Sequence, residues 1–325
     1  MTEPSSAVLP LHLTRNDGLT ARARGRVELH RVRRGVYADA AGWQNLTPWE
    51  RYRLRVEAVG TTWEAPVFCL ESAAVHLGLP IYGEPREIHL LDPEGKSRRF
   101  GDIVVHSTKD ELELITRGGI ATTTLTETAL GLMRVLPPAF ALGVADRALR
   151  MLGAAEQTPD FAALSKERAD RRGLRRIEWV SARATARAES VGESVSRAVI
   201  EWLGYEEPEL QVVFEDEGET DRVDIFWRRM RIIGESDGYG KYDATNAEVA
   251  KAHFIAEKVR EDRLRRQVDG FARWDWGDTM RAAPMDAKLR AAGLTAIRPR
   301  NAPLLATLSS NPRSLPPVQR RMKPG

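Results

Sequence analysis

The chain has 325 residues, 42% of them hydrophobic, and its 49 lysines and arginines against 46 acids leave a net charge of +3. That length accommodates two domains of roughly 100–200 residues plus tails, and a balance this mildly basic means that any nucleic-acid contact must come from how charge is distributed. No apolar run approaches the roughly 20 residues of a membrane span. The opening Met-Thr-Glu-Pro-Ser-Ser is not a basic region followed by an apolar stretch, so a cytoplasmic location without membrane contact is expected.

In chain order, residues 1–26 read as a disordered, basic N-terminus. Val27-Glu-Leu-His-Arg-Val-Arg-Arg-Gly-Val-Tyr37 alternates charged and apolar positions and is expected to form a strand or hairpin. Its Arg31, Arg33 and Arg34 could lie along a phosphate backbone; the alternative is a solvated edge strand protected by charge. Thr47, Pro48 and Glu50 make a capping box with proline at the first helical position. A second helix, Glu71–Gly78, follows Val67-Phe-Cys-Leu, in which the single cysteine, Cys69, reads as a small core residue and excludes a disulfide framework. Ser72 and His76 share a helical face, but no partner acid follows, and a packed helix is the default. Glu87–Leu91 and Asp102–His106 are expected strands; their pairing would bring His89 near His106, without the further ligand a metal needs. Helices are expected after Thr122 and from Pro138 to Leu149, which makes residues 27–150 an α+β domain.

Arg31-Val-Arg-Arg-Gly-Val-Tyr37, Leu70-Glu-Ser-Ala-Ala-Val-His-Leu-Gly-Leu79, Gly119-Ile-Ala-Thr-Thr-Thr-Leu-Thr-Glu-Thr-Ala-Leu130 and Asp146-Arg-Ala-Leu149 resemble, in order and spacing, successive blocks of the AbiEi family of type IV antitoxin regulators. The resemblance implies a DNA partner and a toxin as protein partner. The family usually opens with a DNA-binding winged helix, and the stretch before Val27 is too short for its helices, so only wing-like strands at 27–37 remain. Residues 151–188 follow as a basic linker or helix. Its Arg171, Arg172, Arg175 and Arg176 could contact DNA phosphates or be a solvated connector.

Ser190–Leu203 reads as an amphipathic helix with Glu193 in its first turn, where the helix dipole tolerates a negative charge. Arg222-Val-Asp-Ile-Phe-Trp-Arg-Arg-Met-Arg-Ile-Ile-Gly-Glu-Ser-Asp-Gly238 then reads as two strands and a turn. A two-residue turn at Arg229-Met230 puts Asp224 opposite Glu235, and alternation puts Asp237 on that face too. Converging acids are costly unless a divalent cation or a partner neutralises them. The alternative, a solvated hairpin, sits poorly with the apolar Val223, Ile225, Trp227, Ile232 and Ile233 between them. A helix from Thr245, capped by Glu248, to Gln267 and a returning strand Val268–Trp276 complete an α-β-β-α-β order with a mixed sheet over residues 189–297. Residues 298–325, with Pro299, Pro303, Pro312, Pro316, Pro317 and Pro324, read as a disordered tail.

Gly192-Glu-Ser, Arg222-Val-Asp-Ile, Gly234-Glu-Ser-Asp-Gly-Tyr-Gly-Lys-Tyr242, Glu257-Lys-Val-Arg-Glu-Asp-Arg-Leu-Arg265 and Phe271-Ala-Arg-Trp274 resemble the PD-(D/E)XK endonuclease-like superfamily, nearest its very-short-patch-repair branch. That resemblance implies an α/β restriction-endonuclease-like domain hydrolysing DNA phosphodiesters with Mg2+ or Mn2+. Asp224 and Glu235 would be metal ligands, with Glu193 and Asp237 completing the cluster, and a repair protein becomes a second kind of partner. The signature asks for lysine two residues past the second acid; Asp237 stands there, and Lys241 is the nearest substitute.

Overall fold

The computed structural model describes residues 9–14, 28–153, 158–216, 218–237, 247–309 and 311–316, and for 247–254 the backbone alone. It is a mixed α/β chain in two compact units. One comprises residues 1–132, 163–172 and 311–325; the other comprises 133–162 and 173–310. The division thus falls after Leu132 and not near Arg150. Among the described residues no helix is long and apolar enough to cross a membrane.

In the first unit β1 (His12–Leu13), β2 (Leu29–Arg33) and β3 (Val36–Asp39) form a small antiparallel sheet of order β1-β3-β2. The expected hairpin is β2–β3, turned at Gly35, whose φ of +83° suits a residue without a Cβ. Helix α1 (Ala40–Asn45) leads to α2 (Pro48–Thr62), at whose start the Glu50 carboxylate accepts from the Thr47 N–H and hydroxyl (2.7 and 2.6 Å). Then come β4 (Val67–Phe68), α3 (Leu70–Leu77), β5 (Ile88–Leu91), β6 (Arg98–Phe100), β7 (Ile103–His106), β8 (Leu114–Arg117), β9 (Ile120–Thr123) and α4 (Leu125–Val135). The strands from β4 to β9 make a six-stranded sheet of order β6-β7-β5-β4-β9-β8, parallel at β5–β7 and β4–β9. Apolar residues of α2 and α3 pack on it as one core: Tyr52, Val56 and Val59 against Phe68, Ile88, Leu90, Ile103 and Val105. Burial removes this apolar surface from water and is the main force holding the layers together.

Below that core lies a buried polar network. Ser72 bonds Tyr52 Oη (2.8 Å) and accepts from the His89 N–H (2.8 Å), so it is not paired with His76. His89 Nδ1 meets His106 Nε2 at 2.9 Å, as strand pairing led one to expect. The Arg313 guanidinium closes the network on Glu71 and on His89 Nε2 (2.8 Å). Arg313 belongs to a strap, residues 311–316, that runs along the chain at Tyr82–Arg86: Arg86 N–H donates to its carbonyl (2.8 Å) and Leu315 N–H to the Glu84 carbonyl (2.7 Å). The tail from Arg298 is therefore ordered as far as it is described, against expectation. Its prolines did not prevent a short helix, Ala302–Ala306, and its arginine finds a buried acid.

The second unit contains α5 (Pro138–Gly153), α7 (Leu174–Ser181), α8 (Val191–Trp202), β10 (Glu209–Asp216), β11 (Glu219–Trp227), β12 (Ile232–Asp237), α9 (Ala247–Arg266), β13 (Gly270–Asp275), α10 (Trp276–Arg281), α11 (Ala283–Ala291) and α12 (Ala302–Ala306); α6 is Phe161–Glu167. The stretch expected as a basic linker is not one element. α6 and α7 are separated around Gly173 (φ +69°), and α7 buries Ile177 and Val180, which anchors it by its apolar side. The sheet runs β10-β11-β12-β13, antiparallel except that β12 and β13 are parallel and joined through α9. One face meets α8, where Trp274 Nε1 donates to Ser196 Oγ (2.8 Å). The other meets α9, where Leu264 packs with Val223, Phe226 and Ile233. At Gly234 a Cβ would come within 2.6 Å of Trp274 and 3.0 Å of Trp227, so the two indoles pack against bare backbone.

Burial depresses the His89 pKa to about 4, with Arg313 acting in the same direction. Burial alone would raise Glu71, but Arg313 and His89 outweigh it and hold Glu71 below its usual range. A folded-state pKa below the unfolded one gives His89 a stabilising contribution present above about 6.5 and lost as pH falls towards about 4. The melting temperature should therefore start to drop below pH 6.5, before Glu71 is protonated, and His89→Gln should flatten that limb. Arg313→Ala, which strands a buried carboxylate, should cost about 3–5 kcal/mol in denaturant unfolding and expose the strap to carboxypeptidase.

Candidate active site

Strands β11 and β12 pair as Ile225 with Gly234, Phe226 with Ile233 and Trp227 with Ile232. The pairing ends there; continued by one step, the same register would set Asp224 against Glu235. The connection is a 3-10 turn over Arg228–Met230 followed by Arg231 in the left-handed region (φ +50°), not a two-residue turn. The longer loop is centred on the same point, so the register is unchanged. Directly opposed residues of an antiparallel pair share a face with Cβ atoms about 4.5–5.5 Å apart. Asp224, half-buried, accepts from the Ser236 N–H at 3.3 Å.

Glu235 is 5% exposed, and both of its oxygens are engaged. Oε1 accepts from Arg260 Nη2 of α9 (2.9 Å) and Oε2 from Arg273 Nη2 of β13 (2.6 Å), the residue beside Glu235 in the parallel ladder. Arg273 also reaches Glu257 (2.6 Å), Glu261 (3.4 Å) and Asp237 (3.5 Å). Arg260 also donates to the Arg222 carbonyl (2.7 Å), and Arg263 forks onto Asp221 (2.7 and 2.9 Å). Burial opposes the charge of Arg273, but Glu235 and Glu257 outweigh it and raise its pKa; Arg260 behaves alike through Glu235. Asp221 is held below the usual carboxylate range by Arg263.

The remaining expected site residues fall elsewhere. Glu193 is 4% exposed, but its Oε2 accepts from the Glu189 N–H (3.0 Å) and from Gln211 Nε2 (2.9 Å), so it caps its own helix. Asp237 reaches towards Arg273, and Lys241 lies outside the described residues, as does the expected Thr245–Glu248 capping box. Among the described residues no three or more His, Cys, Asp or Glu side chains are grouped to hold a metal. The expected convergence of three or four carboxylates is thus corrected: Glu235 is neutralised by guanidinium groups and Glu193 by amide donors. Arg260 and Arg273 carry no expected role in the sequence, although both lie within the nuclease-like segments. A charged residue between Ala272 and Trp274 in an inward-packed strand was the available signal.

Of the arginines expected to meet DNA, Arg31 and Arg34 are exposed on and beside β2, whereas Arg33 is ion-paired with Asp102 (2.9 Å). Arg171 and Arg175 are exposed; Arg172 grips Asp170 (2.8 Å), and Arg176 is half-buried and donates to the Arg134 carbonyl (2.6 Å). They do not form one set, since Arg171 and Arg172 belong to the first unit and Arg175 and Arg176 to the second. A polar groove near Glu193 is lined by Arg187, Arg222 and Arg228 with Glu189, Glu209 and Gln211.

Asp224 with Glu235 would supply the one or two carboxylates that Mg2+ takes, but both Glu235 oxygens are held by guanidinium groups, so the arrangement leaves no free Glu235 oxygen for a cation.

No family model matches the chain. Two curated proteins of Mycobacterium tuberculosis do: the uncharacterized protein Rv2248 of strain H37Rv and the uncharacterized protein MT2308 of strain CDC 1551. Each is 31% identical over 203 residues, covering 61% of this chain and 70% of the relative. The chain belongs to their family. No solved structure matches.

If the Glu235 pairs hold the sheet to α9, Glu235→Ala should lower stability by about 1.5–3 kcal/mol, the usual worth of hydrogen bonds to charged groups. Denaturant unfolding checks this. A carboxylate serving only as a vacant ligand would leave stability unchanged or raise it.

Proposed function

We propose that the chain is a divalent-cation-dependent DNA endonuclease of the PD-(D/E)XK type, its site built on the second unit. The observation that supports the reading is the β11–β12 register, which, continued one step past Ile225 and Gly234, would oppose Asp224 and Glu235 on a sheet layered between α8 and α9. Asp224 and Glu235 would hold Mg2+ or Mn2+. When bound, the cation would supply Lewis acidity at the phosphodiester and a more acidic water. Asp224, less buried than Glu235, presents its carboxylate nearer solvent and substrate, while Glu235 gives the fixed end of the pair. The exposed Arg31 and Arg34 on the first unit support phosphate-backbone contacts, whereas in the groove Arg222 and Arg228 are already paired with Glu189 and Glu209.

A second reading, a non-catalytic DNA-binding regulator or antitoxin of a type IV system working with a toxin or repair partner in the cytoplasm, is favoured by a separate observation. Both Glu235 oxygens are held by arginines, and Asp237 occupies the signature lysine position.

Incubated with Mg2+ or Mn2+, the full chain should cleave at least one of single-stranded, duplex, mismatched or branched DNA. Asp224→Ala and Glu235→Ala should each lower the rate about 100-fold or more, as expected when a group worth several kcal/mol at the transition state is lost. Absence of cleavage on every substrate, with DNA binding that weakens linearly in log salt concentration, overturns the nuclease and leaves the regulator.

A further inference from the structure

The strap, residues 311–316, is held as a binding groove holds an extended peptide. It belongs to the first unit, although the residues that lead into it, 173–310, belong to the second. Main chain sets its register: Ser314 bridges Pro85 in antiparallel fashion, the Arg86 N–H donates to the Arg313 carbonyl, and the Leu315 N–H donates to the Glu84 carbonyl. Asn311 Nδ2 donates to the Tyr82 carbonyl (3.1 Å), and Ser314 Oγ accepts from the Glu84 N–H (2.9 Å). A Cβ at Gly83 (φ +73°) would collide with Ser314 Oγ, so the strap lies against backbone that carries no side chain. Pairing with exposed backbone while one side chain fills a pocket is a recurrent mode of peptide recognition.

The pocket selects that side chain. Arg313 brings Nε and Nη2 onto the two oxygens of Glu71, and the same Nη2 donates to His89 Nε2 (2.8 Å). A guanidinium forks onto a carboxylate in this way, whereas an ammonium is a single point of charge. Glu71 is 3% exposed, so an uncharged occupant would leave a buried ion without a counter-charge. These side-chain bonds join residues from 224 to 242 positions apart, so no local stretch of chain fixes which copy supplies the strap.

We propose that the groove along Tyr82–Arg86, with its Glu71–His89 pocket, docks the arginine-bearing strap of a second copy of this chain, exchanged reciprocally. Every copy carries both the acidic pocket and the guanidinium that fills it, so the exchange closes at two chains. It remakes across the pair the bonds that each chain makes within itself, and exchange of an identical element is a low-cost route to a dimer.

The test pairs full-length variants. Arg313→Gln disables the strap and keeps the pocket; Glu71→Gln disables the pocket and keeps the strap; circular dichroism confirms that each is folded. Ser314→Val replaces the first and Gly83→Val the second if either fails to fold, since they disturb the strap and its seat without removing the ion pair. In sedimentation equilibrium the equimolar mixture should associate about tenfold or more tightly than either variant alone, the effect expected of one restored charged fork. A labelled peptide of residues 311–316 should bind the strap variant about tenfold or more tightly than wild type, whose own strap competes, and should lose most of that affinity when its arginine is replaced by lysine. A peptide that binds no folded strap variant, or binds the pocket variant equally well, overturns the docking site. Peptide binding with a mixture no more associated than its components overturns the exchange between copies.

Discussion

The sharing of Glu235 between Arg260 and Arg273 is the interaction on which the second unit turns. It joins the middle of the sheet to the helix that crosses it and to the parallel strand at its edge, three elements that follow one another in the chain. A carboxylate 5% exposed cannot stay charged without such partners, since burial penalises the ion and not the neutral acid. Removing one partner would cost more than the pair is worth, because the survivor would remain buried and uncompensated.

The two units solve a similar problem with similar chemistry. In the first, Glu71 in the first turn of α3 is met by Arg313 from a strap at the end of the described chain; His89 shares the guanidinium and stays neutral. In the second, Asp146 is pushed up to about 6 by burial, although Arg197 lies 3.1 Å away and the Thr185 N–H donates to it. Each unit thus joins remote segments by an arginine reaching a buried acid. Apolar packing could join such segments equally well, but it would not fix the angle of approach as a forked donor does.

The contrast between Glu193 and Glu235 explains why a cluster of acids expected from sequence became two separate arrangements. Both are buried. Glu193 opens a helix, where unsatisfied backbone N–H groups and the helix dipole favour a carboxylate, and Gln211 adds a further donor. Glu235 has no such neighbours on its strand and draws on arginines from other elements. Membership of a family with uncharacterized mycobacterial proteins adds kinship without adding chemistry.

Local chemistry made much of this legible in the residues alone. The capping box before Pro48, the amphipathic helix from Ser190, the strands at Ile88 and Ile103, and the β11–β12 hairpin all depend on neighbours within a few positions or on a turn whose centre sets the pairing. Other features needed the folded chain. Arg33, Arg172 and Arg176 read as phosphate contacts or as solvated charges, yet each found an acid or carbonyl in the fold, Arg33 and Arg176 at distant positions. The proline-rich tail read as disordered, yet Arg313 meets Glu71 across more than two hundred residues. Sequence periodicity determines which side of an element faces inward, because that follows from backbone geometry. Which charge meets which inside is decided only when remote elements come together, because desolvation makes a buried ion accept whatever counter-charge the tertiary fold brings within reach.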